Sequence, residues 1–137
     1  MSQKLFKRLL FVDDEPSIRA TLPLVLQQHG FDVTAAATVP EAIQKIQHQP
    51  FEALLSDLNI AEPGDGFAVV RAMRQVNPQC VAVILTGYPG FDTAVEGIRE
   101  NIDDYIVKPV EIDVLVASME HNLAQRRIWQ QLRTGTE

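Results

Sequence analysis

The chain has 137 residues, one cysteine and a formal net charge of -6, and its composition is 46% hydrophobic and 22% charged. These values are typical of one globular domain with a single core. An acidic surface is repelled by duplex phosphates, which argues against DNA binding by the whole chain. No run approaches the roughly 18 apolar residues that span a membrane, and residues 1–8 are too polar for a signal peptide. The lone thiol of Cys80 favours a cytoplasmic protein with a buried structural cysteine.

Apolar runs alternate with helical patterns in the first part of the chain. Residues 9–12 form a continuous apolar run, which is typical of a strand buried on both faces. A helical pattern follows and is predicted to stop at Gly30. A second strand is predicted over residues 31–36. Thr38 and Glu41 then match a capping box at the start of the second helix.

The same alternation continues to the end of the chain. A third strand over residues 51–56 leads into a loop over residues 60–66, which contains two glycines and a proline, and then into a third helix. Residues 81–85 and 105–107 are the fourth and fifth strands. The fourth helix between them includes residues 93–98.

Two single residues set the remaining boundaries. Asn101 is expected to end the fourth helix in the left-handed conformation that glycine usually adopts there. The fifth helix starts after Pro109. Strands and helices that alternate over short connections build a parallel sheet, and right-handed crossovers place helices on both faces. The sequence therefore predicts an α/β fold, a doubly wound five-stranded parallel sheet.

Four of the predicted strands run into polar residues that phosphoryl chemistry requires. Ligands bind such sheets at the carboxyl ends of the strands, so these side chains are expected to converge. They are Asp13, Asp14, Asp57, Thr86 and Lys108. Three neighbouring carboxylates repel one another, and a bound Mg²⁺, which prefers oxygen ligands, relieves that repulsion.

The chemistry of these groups suggests a role for each. Asp57 is a carboxylate that can attack a phosphoryl donor and form an aspartyl-phosphate. Lys108 and the metal would offset charge on the transferred group, Thr86 would donate a hydrogen bond to it, and the carbonyl of Asn59 can reach the metal. Each residue also has an ordinary alternative: Asp14 as a helix cap, Asp57 as a loop residue, Lys108 as a surface charge and Thr86 as a turn residue. Their conjunction at successive strand ends favours one shared site.

The motifs that carry these residues resemble the receiver domains of bacterial two-component response regulators. They are FVDDE at residues 11–15, LSDL at 55–58, LTGY at 85–88 and DYIVKP at 104–109. The resemblance covers roughly residues 8–123. It implies a flavodoxin-like sheet with strand order 2-1-3-4-5 and a phosphoaccepting signalling switch in place of a turnover enzyme.

The resemblance also implies a set of metal and phosphate ligands. Asp57 corresponds to the phosphoacceptor, Asp14 to the direct Mg²⁺ ligand, Asp13 to a ligand acting through water and Asn59 to the backbone-carbonyl ligand. Lys108 corresponds to the phosphate partner, and its bond to the following proline is expected to be cis.

Thr86 and Tyr105 correspond to the switch pair of the family. On phosphorylation the hydroxyl is expected to move toward the phosphoryl group and the ring to turn inward. This would alter the surface formed by the fourth helix, fifth strand and fifth helix. The ordinary interpretation of Tyr105 is a half-buried strand aromatic.

Two departures from the family pattern stand out. The usual proline four residues after the phosphoacceptor is Ala61, and the usual glycine eight residues after it is displaced by one position to Gly66. The loop after Asp57 is thus one residue longer than in the family pattern, and the resemblance does not predict its path beside the phosphate. Asp113 stands where regulators with winged-helix outputs carry a basic residue, which argues against their mode of dimerisation.

The resemblance divides the chain into a receiver domain over residues 1–123 and an extension of the fifth helix, or tail, over residues 124–137. Ile128, Trp129 and Leu132 would share one side of that extension. The stripe has three interpretations: docking on the domain itself, pairing with another copy, or leading into an output domain. The implied partners are a sensor histidine kinase or phosphotransfer protein and a downstream protein, with no direct contact to nucleic acid or membrane.

Three alternatives of other classes remain open at this point. A phosphatase of the haloacid-dehalogenase type also forms an aspartyl-phosphate, but it needs a second aspartate as general acid where Asn59 stands. A flavin-binding module of the same fold would place a phosphate against the acidic residues 13–15. A pseudo-receiver would bind partners without phosphorylation.

Overall fold

The structure, a computed structural model, describes residues 7–87 and 100–134, so the predicted fourth helix over residues 93–98 lies outside the described residues. The strands are β1 (Arg8–Val12), β2 (Asp32–Ala36), β3 (Ala53–Asp57), β4 (Val81–Thr86) and β5 (Asp104–Val107). The helices are α1 (Pro16–Gln28), α2 (Val39–His48), α3 (Gly66–Val76) and a C-terminal helix (Ile112–Thr134), which is the predicted fifth helix.

All five strands pair in parallel in the order β2-β1-β3-β4-β5, which confirms the predicted fold class and strand order. β1 lies between β2 and β3, so the chain crosses from one side of β1 to the other on its way from β2 to β3. The carboxyl ends of β1, β3, β4 and β5 therefore lie in a row along one edge of the sheet, where the predicted site residues follow.

Alternate residues of the strands support two hydrophobic layers, one on each face of the sheet. On one face Leu10 and Leu54 pack with Ile46 of α2 and Met73 of α3. On the other face the layer includes Leu26 of α1 and Leu115 of the C-terminal helix. Because both faces are covered, the central strands β3 and β4 are buried along their whole length.

Two strands extend one residue further than their apolar runs predict. β3 ends at Asp57 and β4 ends at Thr86, and the ladder pairs Asp57 with Leu85 and Thr86 with Val107. A polar residue is accommodated there because its backbone groups still form the hydrogen bonds of the β-ladder. Both residues are consequently held by the sheet and not by a loop.

The predicted helix boundaries have the expected local chemistry. Thr38 Oγ1 accepts a hydrogen bond from Glu41 N at 3.1 Å, and Glu41 Oε1 accepts one from Ala37 N at 2.7 Å, so the reciprocal bond reaches one residue further out than in a standard capping box. Gly30 follows α1 with a φ of 91°. Asn101 has a φ of 61°, the left-handed conformation predicted for it.

Cys80 is buried immediately before β4, as predicted for a structural cysteine. Burial raises the pKa of its thiol to about 12, so the thiolate is scarce near neutral pH. Within residues 7–87 and 100–134 no helix combines the length and apolar character needed to cross a bilayer.

Candidate functional site

An acidic cluster lies where β1 and β3 end side by side. Asp13 and Asp14 directly follow β1, and Asp57 is the last residue of the neighbouring β3. One carboxylate oxygen from each of the three residues lies within 4.8 Å of the others. Asp13 is fully buried, Asp57 is 8% exposed and Asp14 faces solvent. The predicted convergence of these three carboxylates is therefore present in the fold.

Lys108 brings a positive charge into the same cluster. Its Nζ lies 3.3 Å from Asp57 Oδ2 and 3.5 Å from Asp13 Oδ2. The residue follows β5, which is separated from β3 by β4, so the side chain extends across the end of β4. Its N–H donates to the carbonyl of Thr86 at 2.8 Å, and the Lys108-Pro109 peptide bond is cis. The backbone around Lys108 is thus tied to the end of β4.

Burial and the attraction between oppositely charged groups shift the pKa values of Asp57 and Lys108 in opposite directions. Burial raises the pKa of Asp57, the positive charge of Lys108 opposes that rise, and Asp13 adds to it. For Lys108, burial lowers the pKa, but the negative charges of Asp13 and Asp57 outweigh it and the pKa is raised. Asp57 is therefore a carboxylate whose negative charge is only partly compensated.

The donor set of the cluster fits a divalent cation. Among the residues that the structure describes, the three carboxylates face the ammonium group of Lys108, which leaves an excess of negative charge in a partly buried pocket. All the donors are oxygens, the ligand type that Mg²⁺ prefers. Burial raises the pKa of Asp57 most and the neighbouring charge of Asp13 adds to it, so a cation at this position would stabilise the ionised carboxylate.

Backbone hydrogen bonds fix the two buried carboxylates. Asp13 Oδ1 accepts from Glu15 N at 2.9 Å, and Arg19 Nη1 donates to the carbonyl of Asp13 at 3.0 Å. The N–H of Asn59 donates to the carboxylate of Asp57 and lowers its pKa slightly against the larger effect of burial. The carboxylate of Asp13 is thus oriented by a hydrogen bond from the backbone of the residue that precedes α1.

The lengthened loop after Asp57 is closed by two side chains. The carboxylate of Asp65 accepts hydrogen bonds from the N–H groups of Ile60, Ala61 and Glu62 at 2.6, 2.9 and 3.0 Å. Asn59 Oδ1 accepts one from the N–H of Gly64, a residue with a φ of 76°, at 2.7 Å. The extra residue is therefore accommodated in a compact turn, and the side chain of Asn59 points into the loop.

Gly66 begins α3 directly behind the phosphoacceptor candidate. A Cβ atom at this position would lie 2.2 Å from the carbonyl oxygen of Asp57 and 3.0 Å from Leu58 Cα. The N–H of Gly66 donates to the carbonyl of Leu58 at 2.8 Å. Only glycine permits this approach of α3 to the end of β3.

The predicted switch residues lie on adjacent strands. Thr86 is 1% exposed at the end of β4, and Tyr105 on β5 is half-buried against the layer that contains α2 and α3. The ladder pairs Tyr105 with Ile84, two residues before Thr86. Tyr105 also lines a small groove with Val107 and Val114, both of which are exposed.

An apolar cavity of about 310 Å³ adjoins the acidic cluster between α1 and the start of the C-terminal helix. Lys108 lines both the cavity and the cluster. The walls of the cavity are Ile18, Thr21, Leu22, Val25, Leu85, Pro109, Val110 and Ile112. A partner that reaches Asp57 from this side would meet an apolar surface before the charged groups.

Two residues of the site were not identified from the sequence. Asp65 and Gly66 both fall inside the segment over residues 60–66, which was predicted only as a loop. The displaced glycine was a signal for Gly66, but its need for a missing Cβ depends on the distance between α3 and β3. Nothing local to Asp65 shows that it accepts three hydrogen bonds.

Comparison with known proteins identifies relatives over nearly the whole chain. The family profile described as response regulator receiver domain matches residues 9–120. The transcriptional regulatory protein ZraR of Escherichia coli (strain K12) is 34% identical over 116 residues, which are 85% of this chain and 26% of that protein. The chain spans about a quarter of the length of the curated relatives that it matches, which also include PilR and AlgB of Pseudomonas aeruginosa.

Solved structures show the same architecture. A CheY-like response regulator receiver domain protein from Methanospirillum hungatei JF-1 has a TM-score of 0.83 and 27% identity, covering 90% of this chain and 98% of that chain. A response regulator from Burkholderia pseudomallei, solved with a phosphorylated aspartic acid, calcium ion and citrate, has a TM-score of 0.77 and 25% identity. That comparison covers 93% of this chain and 75% of the other.

Proposed function

The chain belongs to the family of response regulator receiver domains, and we propose that it is a phosphorylation switch in which Asp57 accepts a phosphoryl group. The donor is a phosphohistidine of a sensor histidine kinase or a phosphotransfer protein. The observation that carries this proposal is the position of Lys108 Nζ, 3.3 Å from Asp57 and 3.5 Å from Asp13, within the acidic cluster. The phosphorylated aspartic acid of the Burkholderia pseudomallei relative supports it.

Asp57 acts as the nucleophile. An ionised oxygen of its carboxylate attacks phosphorus, an O–P bond forms, and the P–N bond to the donor imidazole breaks with its electron pair returning to that ring. Lys108 offsets negative charge on the phosphoryl oxygens, and the buried position of Asp57 limits competing water. The product is an aspartyl-phosphate, later hydrolysed, so the chain is a signalling module and not a turnover enzyme.

Mg²⁺ would be held by the carboxylates of Asp13, Asp14 and Asp57 and by the backbone carbonyl of Asn59. When bound, the ion supplies positive charge that lets phosphoryl oxygens approach the acidic cluster. In keeping with the family pattern, Asp14, which is exposed, would bind the ion directly, and Asp13, which is fully buried and accepts from Glu15 N, would act through water.

Thr86 and Tyr105 would transmit the modification. The new phosphoryl group offers strong hydrogen-bond acceptors close to the end of β4, and the hydroxyl of Thr86 would donate to one of them. Tyr105 would then turn inward and change the groove it lines with Val107 and Val114. The surface that responds comprises the predicted fourth helix, β5 and the C-terminal helix.

The partners follow from the two exposed surfaces and from the length of the relatives. The apolar cavity beside Lys108 is suited to an apolar face of the phosphodonor. The responding surface would bind a downstream protein, an output domain in the same polypeptide or a second copy of the chain. We place the protein in the cytoplasm without direct binding to nucleic acid or membrane, in keeping with its charge of -6 and its buried free thiol.

Phosphorylation by a small acyl phosphate in the presence of Mg²⁺ tests the assignment of Asp57. The parent is expected to gain the mass of one phosphoryl group, and hydroxylamine is expected to remove it because it cleaves acyl phosphates. Asp57→Asn removes the nucleophile and is expected to abolish the gain. Asp113→Asn, which changes one exposed carboxylate on the C-terminal helix, is the matched control and is expected to behave as the parent.

Two results would contradict the proposal. If Asp57→Asn acquires the hydroxylamine-sensitive group as the parent does, another residue is the acceptor. If the parent steadily releases phosphate from ordinary phosphoesters, the phosphatase interpretation replaces the switch, with an acid other than Asn59 supplying the proton.

A further inference from the structure

The carbonyl of Asn59, named above as a ligand for Mg²⁺, lies on a stretch of backbone that is anchored on both sides. Leu58 and Ile60 are only 1% and 4% exposed. The N–H of Leu58 donates to the carbonyl of Leu85 at 2.8 Å, which extends the contact between β3 and β4. Among the hydrogen bonds within residues 7–87 and 100–134, none is accepted by the carbonyl oxygen of Asn59. That oxygen is therefore available to a cation.

The extra residue of the loop is absorbed further along the chain, in a tight turn. The N–H of Asp65 donates to the carbonyl of Glu62 at 3.3 Å, and Gly64 has a φ of 76°. Pro63 lies between Glu62 and Gly64. Proline at the second position and glycine with a positive φ at the third are typical of a type II β-turn. This turn returns the side chain of Asp65 to the beginning of the loop, where its carboxylate accepts three hydrogen bonds.

One of these hydrogen bonds involves the peptide group that contains the carbonyl of Asn59. Asp65 Oδ1 accepts from the N–H of Ile60 at 2.6 Å. That N–H and the carbonyl of Asn59 belong to the same planar unit, and in a trans peptide the two groups point in opposite directions. The hydrogen bond to Asp65 therefore directs the carbonyl oxygen of Asn59 to the side of the peptide opposite the Asp65 carboxylate.

The negative charge of Asp65 strengthens this arrangement. Its Oδ2 accepts from the N–H groups of Ala61 and Glu62 at 2.9 and 3.0 Å, so three consecutive N–H groups converge on one carboxylate. Hydrogen bonds to an ionised acceptor are stronger than those between neutral groups. They also polarise the amide, which places more negative charge on the carbonyl oxygen of the same peptide.

Two other groups of Asn59 are bonded within the same loop. Its N–H donates to the carboxylate of Asp57, and its Oδ1 accepts from the N–H of Gly64 at 2.7 Å. These contacts restrict the backbone of Asn59 from its other side. The direction of its carbonyl is thus determined by hydrogen bonds on both neighbouring peptide groups.

We propose that Asp65 is a positioning residue for the metal ion. Through the N–H of Ile60 it orients and polarises the carbonyl of Asn59, and it does so without touching the ion. A group that orients and polarises a metal ligand in this way contributes to metal affinity. The inference rests on the proposed function, in which the carbonyl of Asn59 binds Mg²⁺.

Isothermal titration of the unphosphorylated full chain with Mg²⁺ tests the proposal. Asp65→Asn keeps the size of the side chain but removes its charge and one acceptor oxygen, and it is expected to raise the dissociation constant for Mg²⁺ about tenfold. Asp65→Ala removes all three hydrogen bonds and is expected to raise the dissociation constant at least as much. Glu62→Gln is the matched control: it removes one exposed carboxylate from the same loop and is expected to leave the dissociation constant close to that of the parent. Circular dichroism verifies that each variant is folded.

The dependence of phosphorylation on Mg²⁺ separates positioning from a purely structural role. With a small acyl phosphate as donor, the half-saturating Mg²⁺ concentration of Asp65→Asn is expected to rise by the same factor as the dissociation constant. The rate at saturating Mg²⁺ is expected to stay close to that of the parent, because Asp57 and Lys108 are unchanged. A merely destabilised fold would lower the rate at every Mg²⁺ concentration.

The possible failures of the two proposals are distinguishable. If the parent binds Mg²⁺ and becomes phosphorylated, but Asp65→Asn and Asp65→Ala bind Mg²⁺ as the parent does, the positioning role is overturned and the proposed function stands. Weakening in Glu62→Gln equal to that in Asp65→Asn also overturns it, because charge alone would then explain the loss. So does a lower saturating rate in Asp65→Asn with an unchanged half-saturating Mg²⁺ concentration. A parent that neither binds Mg²⁺ nor becomes phosphorylated overturns the proposed function and this inference together.

Discussion

At the scale of single residues, Gly66 shows how tightly the site is supported from behind. The absent Cβ would sit 2.2 Å from the carbonyl oxygen of Asp57, a backbone atom that β3 holds in the ladder. The carbonyl group of Asp57 cannot move aside alone, because β3 is paired with β1 on one side and with β4 on the other. Gly66 therefore determines how closely α3 approaches the phosphoacceptor candidate.

Gly66→Ala is expected to lower the free energy of unfolding by about 2–4 kcal/mol, because either β3 or α3 must shift to admit the methyl group. Chemical denaturation measures the change. Gly87→Ala, at a position where an added Cβ meets nothing within 4 Å, is the matched control and is expected to stay within about 0.5 kcal/mol of the parent. A Gly66→Ala variant as stable as the parent would show that the close approach is not a constraint, since alanine itself favours helix.

At the scale of elements, a charged network ties the C-terminal helix to the sheet. The carboxylate of Asp103, which precedes β5, accepts from Arg126 Nη2 at 2.6 Å, from Ala82 N at 2.8 Å and from Arg74 Nη2 at 3.3 Å. Arg74 also donates to the carbonyls of Cys80 and Asn101. These bonds join α3, β4, the start of β5 and the C-terminal helix at the end of the sheet opposite the acidic cluster.

Arg126→Gln is expected to lower the free energy of unfolding by about 1–3 kcal/mol, because the partly buried carboxylate of Asp103 loses the shorter of its two arginine contacts and keeps only that to Arg74. Thermal unfolding measures the loss. Arg71→Gln removes a comparable pair, with Glu100, in which the arginine side chain is 56% exposed. That control is expected to cost at most about 1 kcal/mol. Equal losses in the two variants would mean that the network adds nothing beyond a surface ion pair.

At the scale of the whole molecule, negative charge is unevenly distributed. The chain carries a net charge of -6, and three of its carboxylates converge at one end of the sheet against the single ammonium of Lys108. The raised pKa of Asp57 means that the folded state holds this proton more tightly than the unfolded chain. The stabilising contribution is therefore present below the ordinary pKa of aspartate and is lost as the pH rises through the raised value.

Asp57→Asn is expected to be more stable than the parent at pH 7 in the absence of divalent ions, by on the order of 1 kcal/mol, because it removes a charge that burial and the neighbouring Asp13 both disfavour. The difference is expected to vanish at acidic pH, where Asp57 is protonated in both folded and unfolded states. Mg²⁺ is expected to stabilise the parent at pH 7 and to leave Asp57→Asn largely unaffected, since a ligand stabilises only the state that binds it.

Denaturant titrations at the two pH values, with and without Mg²⁺, measure these effects, and Asp113→Asn serves as the control outside the cluster. If the parent gains no stability from Mg²⁺, or if Asp57→Asn gains as much as the parent, the assignment of the metal site fails. If Asp57→Asn is less stable than the parent at pH 7 without the ion, the attraction between Asp57 and Lys108 outweighs the cost of burying the charge beside Asp13.

The family, the order of the elements and the edge of the sheet at which the site forms could all be predicted from the amino-acid sequence. This was possible because the hydrophobic pattern within a segment sets its secondary structure, and the fold then brings Asp13, Asp57 and Lys108 to one edge. The roles assigned to these residues in phosphorylation remain predictions. Residues 93–98, predicted as the fourth helix, lie outside the part of the chain that the structure describes.

The tertiary structure alone decided the features that depend on distances between segments remote in sequence. Asp103 is separated from Arg74 by 29 residues and from Arg126 by 23, so no local pattern marks them as a network. The loop after Asp57 is closed by Asp65, and the requirement for glycine at residue 66 comes from the position of α3 against β3. Periodicity within one segment carries no information on how closely two segments pack, and that packing fixes the shape of the site.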